Sequence, residues 1–246
     1  MSKINKYILF ILPFALACNN EHAFDCIKKT GTVKEYNISL SDTFDKINIR
    51  TNIDVSIIQG NVQKVKLTTG ENLYPKINIR IEGNELFYEN DNTCDWAREY
   101  GITKLQITTP DLKQIVYEGG GEIRSIGVLE FDTLSLDSKE SSGDYFLDIK
   151  SNELNVTTKR ISNFYISGIV NDLNIDFLTG DGRFCGKDLI AQNVFFYHNG
   201  TNDVMVFPIK ALEGVIDRYG NLIYYNDPLI KLDVKTLSKG QLISEF

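Results

Sequence analysis

The sequence predicts an all-β protein: a right-handed parallel β-helix of about 20 residues per coil, fronted by a small irregular N-terminal β cap. Three observations predict it. Stretches such as ITKLQITTPDLKQIVYEGGGEIRSI (102–126) alternate β-branched or aromatic residues with polar ones and break at glycine, and no stretch holds a helical period for a dozen residues. Residues 131–210 stack as four lines of twenty, in which Leu134, Leu154, Leu173 and Val194 recur at separations of 20, 19 and 21. Two residues after each come Leu136, Val156, Ile175 and Phe196. An antiparallel sandwich also spaces its turns regularly, but it has no reason to return the same apolar doublet at constant phase. A coil that cannot bury its apolar side alone does so by stacking, and parallel crossovers favour the right hand.

Taken from the N-terminus, residues 1–17 have the layout of a secretory signal: Lys3 and Lys6, an apolar run from Tyr7 to Ala17, and small residues at Ala15 and Ala17. Eleven apolar residues are too short to span a bilayer. Cleavage after Ala17 exposes Cys18, in a stretch similar to the lipobox of bacterial lipoproteins, with Ala15 where leucine is usual. Cys18 is therefore the expected lipidation site, residues 18–30 a tether, and residues 31–246 one domain; plain signal cleavage is the alternative. Acyl chains would make the membrane a partner through hydrophobic burial. Asn19 after the cysteine favours the outer membrane, with the displayed side left open.

The other cysteines follow from this assignment. With Cys18 acylated, Cys26, Cys94 and Cys185 remain, an odd number. Export permits a Cys26–Cys94 disulfide and leaves Cys185 as a small buried hydrophobe. With Cys18 unmodified, four cysteines allow two disulfides.

Within the domain, residues 40–117 repeat less cleanly and read as irregular first coils or a cap shielding an open end. From there Gly143, Asn163, Gly182, Asn202 and Gly220 recur at 20, 19, 20 and 18, read as turn residues that tolerate a left-handed backbone. The formal charge of −7 with scattered lysines offers no basic stripe, which argues against nucleic acid as a partner.

Catalytic material is thin. The two histidines are His22, in the tether, and His198, read as a turn residue. Asp137, Glu140, Asp144 and Asp148 share one line, with Asp181 and Asp203 near equivalent turns, so a polysaccharide lyase or hydrolase using carboxylates is the alternative function. Their usual role is as solvated turn residues, and neither Gly119–Glu122 nor Thr179–Gly182 completes a calcium repeat. No metal or other cofactor is expected. The aromatic pairs are the better candidates for contact. Phenylalanines are expected mostly inside, and Tyr145, Tyr165, Tyr197 and Tyr225 mostly outside, where they could pack on sugar rings or a partner protein.

Several short motifs carry a family resemblance: Asp25-Cys26, Thr30-Gly31, Phe44-Asp45-Lys46-Ile47, Asn52-Ile53-Asp54-Val55 with Gln59-Gly60, Gly70-Glu71-Asn72-Leu73, Asn92-Thr93-Cys94-Asp95-Trp96, and Gly220-Asn221 to Tyr224-Tyr225. Together they resemble the DUF2807 family, the autotransporter adhesin head or GIN domain common in Bacteroidetes lipoproteins, over roughly residues 25–243. Thr51-Asn52-Ile53 stands where the family has its GIN tripeptide. The resemblance implies a β-helix on the bacterial envelope, adhesion or glycan contact, and no established catalytic residues. The expected ligand is thus a polysaccharide or a surface protein.

Overall fold

The computed structural model describes residues 29–93, 101–138 and 140–246. Cys18, Cys26 and Cys94 lie outside these residues, as do the signal and nearly all of the tether.

In chain order the strands are β1 Val33–Ile38, β2 Lys46–Ile49, β3 Asp54–Gln59, β4 Lys64–Gly70, β5 Ile77–Glu82, β6 Glu85–Asn90, β7 Lys104–Thr109 and β8 Gln114–Tyr117. Five long strands follow: β9 Glu122–Ser138, β10 Asp144–Thr158, β11 Asn163–Phe177, β12 Arg183–His198 and β13 Val204–Ile216. Short strands close the chain: β14 Leu222–Tyr224, β15 Lys231–Thr236 and β16 Leu242–Ser244. Apart from a single 3-10 turn at Tyr74–Lys76, the described chain is strand and loop. None of its helices is long and apolar enough to cross a membrane.

The strands stack into a parallel β-solenoid of about six turns. Each long strand feeds two ladders. Its first limb continues the order β1-β4-β7-β3-β9-β10-β11-β12-β13-β14-β16, and its second limb joins β8 above and β15 below. The register explains the period seen in the sequence. Leu134 lies opposite Leu154, Leu154 opposite Leu173, Leu173 opposite Val194 and Val194 opposite Leu212, so the recurring leucine is one inward column, fully buried. A second inward column on the first ladder runs Val55, Ile123, Tyr145, Phe164, Phe184, Val204, Leu222. Its rings pack on one another, with Tyr145 stacked on Phe164 at 4.6 Å.

The N-terminal cap exists and departs from the coil pattern by reversing direction. β4 runs antiparallel to both β1 and β7, and β5 runs antiparallel to β6, while β2 and β3 already pair in parallel with β8 and β7.

The turn column differs from the sequence reading in membership and in reason. Asp144 is opposite Asn163, which puts Ser162, not Asn163, level with Gly143. The glycines there lie outside the left-handed region; they are short of space. A Cβ on Gly143 would stand 2.2 Å from the Tyr117 ring and 2.7 Å from the Gly121 carbonyl, and one on Gly220 would stand 2.3 Å from both the Asn202 carbonyl and His198 Nε2. Coils 4.7–4.9 Å apart bring one turn's backbone onto the next.

Candidate functional site

The tyrosine assignment is where the structure corrects the sequence most clearly. Tyr145 points into the core and is fully buried, so it is removed from the candidate contact residues. In each of the dipeptides Tyr145-Phe146, Phe164-Tyr165 and Phe184-Cys185 the first member faces in, whatever its polarity, because it continues the Ile123 column. Burial pushes the Tyr145 hydroxyl well above the usual tyrosine range.

The outward members of these pairs therefore share one column: Arg124, Phe146, Tyr165, Cys185, Met205 and Ile223, each level with the next. From Phe146 onward it is apolar and half-buried. Phe146 and Tyr165 stack face to face, 4.9 Å apart and 8° from parallel, and the Arg124 guanidinium sits 3.9 Å from the Phe146 ring centre. At the corner between limbs the strip broadens. Ile169 and Ile190 are level with each other and 52% and 40% exposed, and Phe207 follows them in the next coil.

Cys185 is a free, half-buried thiol in this outward column, level with Tyr165 and Met205. The apolar neighbours read from the sequence are there, but they lie on the surface rather than in the core. Tyr225 faces out at the end of the same ladder, its backbone N–H bonded to the Val206 carbonyl.

Tyr197 also faces out, but on the second ladder. Its hydroxyl donates to Asp217 Oδ2 at 2.6 Å, and that hydrogen bond to a carboxylate raises its ionisation above the ordinary value. The outward surface there is an amide and carboxylate ladder: Asn174 Nδ2 donates to Asn155 Oδ1 and Asn193 Nδ2 to Asp172 Oδ1, both at 2.8 Å. The candidate tyrosines are thus divided between two faces.

The carboxylates disperse. Asp144 lies in an outward column with Glu122, Asn163 and Arg183 and accepts from Asn163 Nδ2 at 2.8 Å; Asp148 is level with Val128 and Ser167. Among the described residues no three His, Cys, Asp or Glu side chains come together as metal ligands. An open groove of about 530 Å³ lies at the N-terminal end, lined by Leu40, Phe44, Val62, Gln63 and Pro110 among others, away from the aromatic column. His198 ends β12 inside the core rather than in a turn. It is fully buried against the Phe177 ring, and burial holds its protonation below the ordinary 6.5.

The chain is thus a parallel β-solenoid with an apolar column on one outward ladder and an amide and carboxylate ladder on the other. The chain is a member of the family described as "Putative auto-transporter adhesin, head GIN domain" (DUF2807), which matches residues 43–228. The solved structures agree on the fold. A putative adhesin from Bacteroides fragilis NCTC 9343 superposes with a TM-score of 0.80 at 19% identity, covering 87% of this chain and 97% of that one. A putative adhesin from Parabacteroides merdae ATCC 43184 gives 0.60 at 19% identity over 89% and 98% of the two chains. A putative lipid binding protein from Parabacteroides distasonis ATCC 8503 gives 0.63 at 14% over 88% and 98%. Comparison with curated proteins gave no match. An adhesin family points to the cell envelope or surface.

Proposed function

We propose that the chain is an adhesion module without catalytic function, held on the bacterial envelope by a lipid on Cys18 and a tether over residues 18–30, with the outer membrane as its anchorage. The observation that carries the adhesion reading is the outward column from Phe146 to Ile223. A contiguous half-buried apolar strip rimmed by charge is how soluble proteins mark a contact surface.

The column's geometry favours a protein ligand over a polysaccharide. Stacking on a sugar needs a free ring face, but here Tyr165 covers one face of Phe146 and Arg124 the other. The strip offers ring edges, a thioether and methyl groups, which suit an apolar protein surface better than a polysaccharide.

Two experiments test this. Solid-phase binding to a panel of surface and matrix proteins, run beside a glycan array, is expected to show protein binding that falls at least ~10-fold in Tyr165→Ser/Met205→Lys. Equal binding by the variant, or binding confined to the array, would overturn the assignment. Mass spectrometry of the mature N-terminus is expected to find an acylated Cys18; an unmodified terminus would remove the anchor.

A further inference from the structure

Toward the C-terminal end of the stack, β16 lies one coil beyond β14 on the first ladder, while on the second ladder β15 has one strand partner among the described residues. β15 has β13 as its ladder partner, in the register Ala211 to Lys231 through Ile216 to Thr236. Its other edge offers a row of backbone donors and acceptors, a template for another strand. The side chains agree with the backbone. Leu232 continues the leucine column, in which Leu134, Leu154, Leu173, Val194 and Leu212 are all fully buried, yet it is 45% exposed. Leu229 and Ile230, at 81% and 75%, extend the apolar rim.

We propose that this edge pairs with the same edge of a second copy, joining two solenoids tail to tail about a two-fold axis through Val234. A two-fold axis perpendicular to a sheet makes the two edge strands antiparallel, as an isologous contact requires. The sequence of β15, KLDVKT, then decides the register. Centred on Val234, the pairing sets Val234 against Val234, Leu232 against Thr236, and Asp233 against Lys235 twice. Inward side chains thus oppose inward ones, and each outward charge meets its opposite. Centred on Asp233, the pairing would set Asp233 against Asp233 and Lys231 against Lys235, which repel. Centring on Leu232 also matches charges but leaves the C-terminal half of the strand unpaired, and it calls on Lys231, already bound to Glu213. The ion pairs set partner and register more than affinity, and the apolar end and the ladder supply the attraction.

Closure of this kind stops at two. A head-to-tail filament would have to use β5, the far edge of the same ladder, whose outward Arg80 is already paired with Glu82 and Glu89. The dimer goes beyond the adhesin reading and does not depend on it; its consequence would be two apolar columns on one particle.

Sedimentation of the purified protein over a hundredfold concentration range tests the proposal, with circular dichroism confirming that each variant folds. The wild type is expected to pass from monomer to dimer. Asp233→Lys alone and Lys235→Asp alone, each of which sets like charges opposite one another, are expected to stay monomeric, and an equimolar mixture of the two to recover the dimer. A wild type that remains monomeric, single variants that dimerise as it does, a mixture that does not associate, or growth into filaments would each overturn the proposal.

Discussion

At the N-terminal end of the stack the chain turns back on itself, so that β1 and β4 run antiparallel and the inward Tyr36, Ile38, Ile77, Ile79 and Ile81 lie partly buried against the core. At the C-terminal end β15 simply follows the parallel pattern and leaves Leu232 half in water. The outward column changes between the same two regions. Level with Arg124 toward the cap stand Ser56, Gln106 and Lys66, whereas toward the tail stand Phe146, Tyr165, Cys185 and Met205. The difference teaches that one continuous ladder tolerates a change of both direction and chemistry: it is antiparallel with polar outward residues at the cap, and parallel with apolar ones toward the tail.

The largest effect that sharpens this comparison lies within the leucine column. Leu173→Ala, in mid-stack, is expected to cost about 2–5 kcal/mol by chemical denaturation, because it leaves a cavity with close-packed coils on both sides. Leu232→Ala, in the same column at the tail, is expected to cost less than about 1 kcal/mol at dilutions where the chain is monomeric, since Leu232 is then about half solvated. Equal losses would mean that the tail is covered in solution.

An intermediate effect depends on pH and is confined to the tail half. His198 is neutral in the folded core because burial lowers its protonation from 6.5, whereas the unfolded chain takes up a proton near that value. Stability is therefore full above pH 6.5 and declines as the pH falls from there through the folded-state value. Asp45, Glu71 and Glu89 are also shifted down, from 3.8, 4.5 and 4.5, through hydrogen bonds to Lys113, Lys34 and Arg80, and their contributions disappear only at lower pH. Melting temperatures between pH 6.5 and 5 should fall for the wild type and stay level for His198→Leu; parallel slopes would rule out the imidazole. The smallest effect is at the cap, where Lys34→Ala removes an exposed ion pair with Glu71 and should leave the melting temperature within error.

Composition and periodicity alone determined the all-β class, the 20-residue coil, the leucine column and the irregular first coils, because each is a regularity along the chain and stacking repeats it without alteration. Alternation likewise required one member of each aromatic pair to face inward. Only the tertiary structure decided which one, since that depends on where each strand enters the ladder. The strand before β10 presents Ile123 inward and the strand after it Phe164, so Tyr145 is buried despite its hydroxyl, and Phe146 is left outside to stack on Tyr165. The register shifts after Phe146 and Tyr165 have a different origin, extra corner residues in β9 and β12: Phe146 to Asp148 faces Arg124 to Val128, and Tyr165 to Ser167 faces Cys185 to Asp188. A one-residue change of phase leaves the sequence pattern nearly intact and exchanges the inner and outer faces, and packing against the neighbouring coil is what fixes it.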